Sequence, residues 1–440
     1  MTDGPRSGRQ RRRLTATVTD IEVVRQKAFL ISLARSAADM AGAEVSLHEL
    51  AMLTDTAGSD PVGSELVRRA KPDPATFIGS GKAAELAAET ESLDVDVVVF
   101  DNDLSPAQQR NLQTIFECDV VDRVALILDI FAQHATSREG MLQVELAQHR
   151  YRLPRLHGRG VEMSRLGGGI GTRGPGETQL ETDRRRILGR ISKLERQLKD
   201  LSRSRETKSK ARRRARIPLV SVIGYTNAGK STLFNALADA DVLVEDQLFA
   251  TLDSTVRKLE LPGGREVLAS DTVGFVRRLP HQLVEAFRST LEEVNEADLL
   301  IHVVDAADED PDRQIAAVRE VLNDIGASHI PELLVINKCD IADAAAIQRL
   351  TRLQGNTVAV SALTGAGLDG VRDAIVDALA AQTVEVELVV PFARGDVLAA
   401  LHRAGEVTNE DHAESGTRVK VRLQQQDLQR FGEWTEPPDA

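Results

Sequence analysis

Gly224-Tyr-Thr-Asn-Ala-Gly-Lys-Ser231 is the stretch on which the fold of this chain turns. It follows the apolar run Leu219-Val-Ser-Val-Ile223 and opens the helical run Thr232-Leu-Phe-Asn-Ala-Leu237. A glycine, four residues and then Gly-Lys-Ser, set between strand and helix, spells a phosphate loop. Glycines 224 and 229 let backbone N–H groups turn inward on phosphate oxygens, and the helix N-terminus adds partial positive charge. The expected cradle is Asn227, Ala228, Gly229, Lys230, Ser231 and Thr232. Lys230 would reach the β- and γ-phosphates, and the Ser231 hydroxyl would ligate Mg²⁺. The plain alternative is a glycine turn that happens to precede a helix.

Three further motifs follow in the order a guanine-nucleotide switch needs. Asp271-Thr-Val-Gly274 comes after the strand-like Glu266-Val-Leu-Ala-Ser270. Its aspartate suits an indirect contact to Mg²⁺, and the Gly274 N–H can meet the γ-phosphate. Asn337-Lys338-Cys339-Asp340 follows the apolar run Leu333-Leu-Val-Ile336. The Asp340 carboxylate can accept from the ring N–H and exocyclic amine of guanine. Adenine lacks that donor pair, so a site built around the carboxylate rejects ATP. Ser361-Ala362-Leu363 follows Thr357-Val-Ala-Val360 and would offer a backbone N–H to the guanine oxygen. Each short pattern is weak alone. Four in order, each at the carboxyl end of an apolar run, imply GTP as substrate.

The switch threonine has two candidates, Thr251 and Thr255, in Leu248-Phe-Ala-Thr-Leu-Asp-Ser-Thr255. One should ligate Mg²⁺ when the γ-phosphate is present and swing away afterwards. Thr251 is the preferred choice, which makes Lys230, Thr251 and Gly274 the expected catalytic set. After Gly274 stands Phe275, where many small GTPases carry a glutamine that orients the attacking water. Phenylalanine cannot hydrogen-bond water. Either intrinsic hydrolysis is slow and another macromolecule completes the site, or Phe275 is core packing and a different residue positions the water.

The 440-residue chain is long enough for two or three domains, and 42 % hydrophobic residues is ordinary for a globular protein. No apolar run approaches the roughly 20 residues that span a bilayer, so stable membrane insertion is not expected. The first 20 residues are polar, with Arg11-Arg-Arg13 and no apolar stretch behind them, unlike a secretory signal. Only Cys118 and Cys339 are present, without metal-ligand spacing, which fits a reduced cytoplasmic protein. The net charge of −12 argues on average against nucleic acid, but the charge is segregated. Between Arg184 and Arg216 basic residues crowd together, including Arg184, Arg185 and Arg186, against only Glu195, Asp200 and Glu206. Such an excess is an electrostatic footprint for RNA phosphates; a solvated helix face, the alternative, usually mixes both signs. Aromatics are 3 % of residues, so recognition would lean on backbone charge rather than base stacking.

Along the chain the expected class is α/β. Residues 1–20 form a basic tail, and an N-terminal α/β domain follows over 21–136. Phe29–Leu33 and Val95–Phe100 read as strands, Leu47–Thr56 as a helix, and Ser105-Pro106 as a capped helix start. Over 137–216, Leu142, Leu146, His149, Leu153 and Leu156 repeat at heptad spacing. So do Leu180, Ile187, Ile191, Leu194, Leu198 and Leu201, giving the seam of an antiparallel helical hairpin. Its tip, 157–177, is rich in glycine and carries Arg159, Arg165 and Arg173. Glycine allows close approach and arginine grips phosphate, which suits a probe for structured RNA. A plain linker and a second nucleotide site are the alternatives. The phosphate-loop domain, doubly wound with a mostly parallel sheet, is expected over 217–382. A small α/β domain would close the chain over 383–440, with strands at 384–390 and 417–423 around a helix at 394–403.

These motifs together resemble the HflX family of translational GTPases. The likeness extends through Pro74-Ala-Thr-Phe-Ile-Gly-Ser-Gly-Lys82, Leu104-Ser-Pro-Ala-Gln-Gln-Arg-Asn-Leu112, Val121-Asp-Arg123 with Ile127-Leu-Asp-Ile-Phe131, and Gly167-Gly-Gly-Ile-Gly-Thr-Arg-Gly-Pro-Gly-Glu-Thr-Gln-Leu-Glu181. It continues in Phe249-Ala-Thr-Leu-Asp253 and Asp271-Thr-Val-Gly-Phe275, and spans roughly 22–423. The resemblance implies binding to the large ribosomal subunit (50S) and its RNA, GTP hydrolysis stimulated by the ribosome, and splitting of stalled or idle 70S ribosomes under stress. It also implies that the hairpin tip reaches toward the peptidyl-transferase region. A monomer is expected. The rival readings are a GTPase for assembly of precursor large subunits and a binding-only module with a protein or membrane partner. Some relatives are credited with ATP use by the N-terminal domain. Here its only glycine-lysine candidate is Gly79-Ser-Gly-Lys82, which lacks the full phosphate-loop pattern.

Overall fold

The computed structural model describes residues 25–158, 175–215, 217–238, 248–249, 255–276, 294–353, 355–413, 415–424 and 428–434. The chain divides into two compact units, with the boundary between Leu198 and Lys199.

The first unit begins with β1 (Gln26–Ala34), α1 (Met40–Thr56), β2 (Ser59–Arg68), α2 (Ser80–Ser92) and β3 (Val97–Phe100). It continues through α3 (Pro106–Phe116), β4 (Asp119–Asp122) and α4 (Arg123–His134). The strands form one parallel sheet in the order β2-β1-β3-β4. Seven consecutive residues of β1 and all four of β3 are buried, the unbroken apolar pattern of strands covered on both faces. Phe29, Ile31, Val98, Phe100 and Leu112 centre the core. Helix α3 starts as the sequence demands: Ser105 and Gln108 complete a reciprocal capping box, with Pro106 in the first turn.

A second pair of helices follows, α5 (Arg138–Arg152) and α6 (Pro175–Ala215), the latter belonging to this unit as far as Leu198. The helix α6 begins inside the stretch read as tip loop. Leu146, Ile191 and Leu194 are buried together, flanked by Leu142, Leu153, Ile187 and Leu198, the residues of the two heptad series. Arg190 grips Glu145 with two bonds of 2.6 and 2.5 Å, and Arg150 meets Glu195 at 2.9 Å. In heptad letters these are g–g and e–e contacts, which antiparallel helices make; parallel ones would oppose Glu145 to Glu195. The hairpin is tied to the sheet at Asp122, which is fully buried. Asp122 accepts from the Tyr151 hydroxyl at 2.8 Å and from Arg155 at 3.0 Å. Arg159, Arg165, Arg173 and most of the glycine-rich tip lie outside the described residues.

The second unit carries β5 (Leu219–Gly224), α7 (Lys230–Ala238), β6 (Thr255–Leu261), β7 (Arg265–Asp271) and β8 (Leu299–Asp305). After them come α8 (Pro311–Asp324), β9 (Glu332–Asn337), α9 (Ala344–Leu353), β10 (Thr357–Ala359) and α10 (Leu368–Ala380). Six strands line up as β10-β9-β8-β5-β7-β6, parallel except for the edge strand β6. This is the mostly parallel, doubly wound sheet expected of a phosphate-loop domain. Strand β5 is buried throughout and its neighbour β8 nearly so. Both point their carboxyl ends toward the loops that form the candidate site, as ligand-binding crevices of such sheets require.

The chain ends in β11 (Thr383–Val390), α11 (Gly395–Ala404), β12 (Gly405–Ala413), β13 (Gly416–Gln424) and the short α12 (Leu428–Phe431). The sheet is antiparallel, ordered β11-β13-β12. Its apolar face packs Leu388, Val390, Val419, Val421 and Leu423 against Val397 and Leu401 of α11. β12 was not expected from sequence: Gly-Glu-Val-Thr-Asn-Glu-Asp-His-Ala has little apolar alternation, and its register shifts between Val407 and Asn409.

Candidate nucleotide site at the carboxyl edge of the second sheet

The loop between β5 and α7 takes the backbone shape its spelling demands. Gly224 sits at φ 149°, where any side chain would run into the carbonyl oxygen of Val303 on β8. Gly229 is at φ 87°, and a Cβ there would strike the Asn337 side chain. Asn227 also adopts positive φ, 58°, a conformation asparagine tolerates better than most. Ala228 is buried, while Asn227 is exposed.

Lys230 opens α7 and is buried, 6 % exposed, with its Nζ donating to the Tyr225 carbonyl at 2.7 Å. Burial pushes its pKa down to about 8, partly opposed by the negative charge of Asp271. The Ser231 hydroxyl donates to Asp271 Oδ2 at 2.7 Å, and Thr232 is half-buried behind it. Asp271 ends β7, is fully buried, and also accepts from the Thr272 amide at 3.0 Å. Gly274 is pressed against the loop: a Cβ on it would lie 2.8 Å from Thr226 Cγ2 and 3.0 Å from Lys230 Nζ. Phe275, 2 % exposed, is core packing, and its backbone joins the loop through Thr226 N to Phe275 O at 2.7 Å and Phe275 N to Gly224 O at 3.0 Å.

Asn337, at the end of β9, straps two loops together. Its Nδ2 donates to the Ala228 carbonyl at 2.8 Å, and its Oδ1 accepts from the Ala362 amide at 2.9 Å. Lys338, at φ 61°, pairs with Asp305 at 2.7 Å, and Asp340 stands exposed beyond it. The Ser361 hydroxyl caps its own turn by accepting from the Thr364 amide at 3.2 Å. Thus residues from four separate motifs converge on one edge of one sheet. Thr251 lies outside the described residues. Thr255 begins β6 opposite Asp271, so it belongs to a strand rather than to a loop. Among the described residues no group of three or more His, Cys, Asp or Glu could hold a metal ion.

Sequence reading missed two features here. Thr226 is nine-tenths buried beside Gly274; its place between the loop's glycines was the available signal. His302 on β8, fully buried, meets Glu332 at 2.5 Å, and Glu332 also holds Arg319 at 3.0 Å. Burial pulls the His302 pKa down. Nothing local in the sequence announces that trio.

Comparison with known proteins follows this geometry. Residues 44–132 match the family described as GTP-binding GTPase N-terminal, and 134–212 its middle region. Residues 219–338 match the 50S ribosome-binding GTPase family, and 346–434 the HflX C-terminal domain. The GTPase HflX of Caldanaerobacter subterraneus subsp. tengcongensis is 46% identical over 401 residues, 91% of each chain.

The chain belongs to the HflX GTPase family.

The GTPase HflX of Escherichia coli (strain K12) is 43% identical over 388 residues, 88% of this chain and 91% of that protein. A crystal structure of a GTP-binding protein from the hyperthermophilic archaeon Sulfolobus solfataricus in complex with GDP is 24% identical, covering 80% of this chain and 98% of that one, with a TM-score of 0.41. As an HflX-family member the chain binds guanine nucleotide and hydrolyses GTP. Among the described residues no helix is long and apolar enough to cross a membrane.

Proposed function

We propose that this HflX-family GTPase binds the large ribosomal subunit in its GTP state and splits 70S ribosomes under stress, leaving after hydrolysis. The observation that carries the reading is the match of residues 219–338, which hold the convergent site, to a family described as 50S ribosome-binding. The site supports a division of labour. Asn227, Ala228, Gly229, Lys230, Ser231 and Thr232 cradle the phosphates, and Gly274 offers its N–H to the γ-phosphate. Asp340 reads guanine from an exposed position beyond Asn337, while Asn337, Lys338, Ser361 and Ala362 hold that edge of the pocket. Catalysis rests on Lys230, Gly274 and Thr251.

The donor set fits Mg²⁺. Ser231 Oγ is a hard oxygen donor, hydrogen-bonded at 2.7 Å to Asp271 Oδ2 beside the buried Lys230, and phosphate oxygens would supply the rest. Ser231 and Thr251 would ligate the ion directly, with Asp271 one water away. Bound there, it neutralises charge on the β- and γ-phosphates.

Arg184, Arg185 and Arg186 on α6 are exposed, and their carboxylate contacts are loose, 3.3 Å from Arg185 to Glu181 and 3.5 Å from Arg186 to Asp183. Surface pairs of this kind contribute about 0–1 kcal/mol, so the arginines remain available to RNA phosphates, with Arg159, Arg165 and Arg173 as further candidates. The test is sedimentation of 70S ribosomes with the protein and GTP. Conversion to subunits supports the reading. Intact 70S particles, with precursor large subunits accumulating in cells that lack the protein, would instead support an assembly role.

A further inference from the structure

Thr226 carries a polar atom that nothing among the described residues uses. The residue is 5 % exposed, and among the described residues its hydroxyl has no hydrogen-bond partner. Its backbone is occupied, the N–H donating to the Phe275 carbonyl at 2.7 Å. Burying a hydroxyl without a partner is unfavourable, so such an atom in a native site calls for a ligand that satisfies it.

The surroundings say which ligand. Thr226 Cγ2, Thr226 Cα and Lys230 Nζ all lie within 3.0 Å of the point a Cβ on Gly274 would occupy. Thr226 therefore belongs to the end of the cradle where Gly274 and Lys230 meet, assigned above to the γ-phosphate. The next residue is Phe275, buried and without a polar side-chain atom, so the position that would hold water in many GTPases cannot.

We infer that the Thr226 hydroxyl holds the attacking water for GTP hydrolysis. The water oxygen attacks the γ-phosphorus, the bond from that phosphorus to the β–γ bridging oxygen breaks, and GDP leaves with the electron pair. The water's proton ends on the inorganic phosphate released. Thr226 gives up no atom. It accepts from or donates to the water and fixes it in line, which is the positioning role the phenylalanine leaves vacant. The inference rests on residues 224–231 being the phosphate cradle.

The experiment compares full-length wild type with Thr226→Val, which keeps the shape and removes the hydroxyl, and Thr226→Ser, which keeps the hydroxyl and removes the methyl. Single-turnover GTP hydrolysis is measured with and without 50S subunits, alongside affinity for a fluorescent GTP analogue. The expected result is a loss of about 100-fold in the hydrolysis rate for Thr226→Val, with nucleotide affinity unchanged and Thr226→Ser retaining most of the rate. Wild-type hydrolysis by Thr226→Val would overturn the inference, as would an equal loss in both variants, which would point to packing on Gly274. A fall in nucleotide affinity matching the fall in rate would overturn it too, by assigning the hydroxyl to ground-state binding. Failure of the cradle reading itself shows differently: Lys230→Ala would then bind the analogue as wild type does.

Discussion

Two glycine-lysine stretches, each opening a helix beside a mostly parallel sheet, have opposite electrostatics in this molecule. Lys82, in Gly79-Ser-Gly-Lys82, sits on the surface of the first unit between Glu65 at 2.7 Å and Glu85 at 2.8 Å. Their hydrogen bonds raise its pKa above the usual 10.5. Lys230, in the second unit, is buried and has no carboxylate within ion-pair range among the described residues; burial lowers it to about 8. Lys82 is neutralised by its neighbours and would have to leave them to meet a phosphate. Lys230 is desolvated already, so a polyanion is the partner that would stabilise its buried charge. Of the two spellings, only the one at Lys230 leaves its lysine without a paired carboxylate among the described residues, as a phosphate ligand would require.

The largest effect should separate these two lysines. Lys230→Ala is expected to lose roughly 10²- to 10³-fold in GTP turnover, and Lys82→Ala to keep the wild-type rate. Comparable losses from both would mean that the first unit shares in nucleotide handling. A smaller shift is expected from the base reader. Asp340→Asn should weaken GTP about 10- to 100-fold and favour xanthosine triphosphate, read as competing affinities. Unchanged GTP affinity would remove Asp340 from that role.

Protonation offers a finer test. Because Lys230 in the fold titrates near 8 instead of 10.5, the unfolded chain holds more protons between those values, and stability rises with pH across that window. Lys82 has the opposite sign: its contribution is full below 10.5 and fades as pH climbs through its raised value. The rise in melting temperature of nucleotide-free protein between about pH 8 and pH 10 should therefore flatten in Lys230→Met. Parallel curves for variant and wild type would contradict the burial argument. The smallest effect lies at the hairpin's anchor, where Tyr151→Phe leaves buried Asp122 short of one donor. A loss of about 1–2 kcal/mol in unfolding free energy is expected, with GTP turnover untouched.

What could be read in advance followed a simple physical rule. The loop from Gly224 to Ser231, the Ser105 cap and the heptad leucines are local patterns, each determined by backbone sterics or helical period within a few residues. Non-local partnerships were closed to such reading. The buried guanidinium of Arg123 meets Glu49 and Asp101, the former 74 positions away, and no spacing rule announces it. Strand β2 escaped notice because Pro61 and Gly63 interrupt its pattern; the fold needs Gly63, since a Cβ there would sit 2.7 Å from the Phe29 ring. Thr226 was passed over because its isolation is a property of the folded site and not of its neighbours in the chain.

The most direct measurement is co-sedimentation of the full-length protein with purified 50S subunits, with a non-hydrolysable GTP analogue or with GDP, as salt is raised. The account predicts retention with the analogue, release with GDP, and a steep loss of the retained fraction with salt that becomes shallower when Arg184, Arg185 and Arg186 are replaced by alanine. Equal retention in both nucleotide states would contradict it.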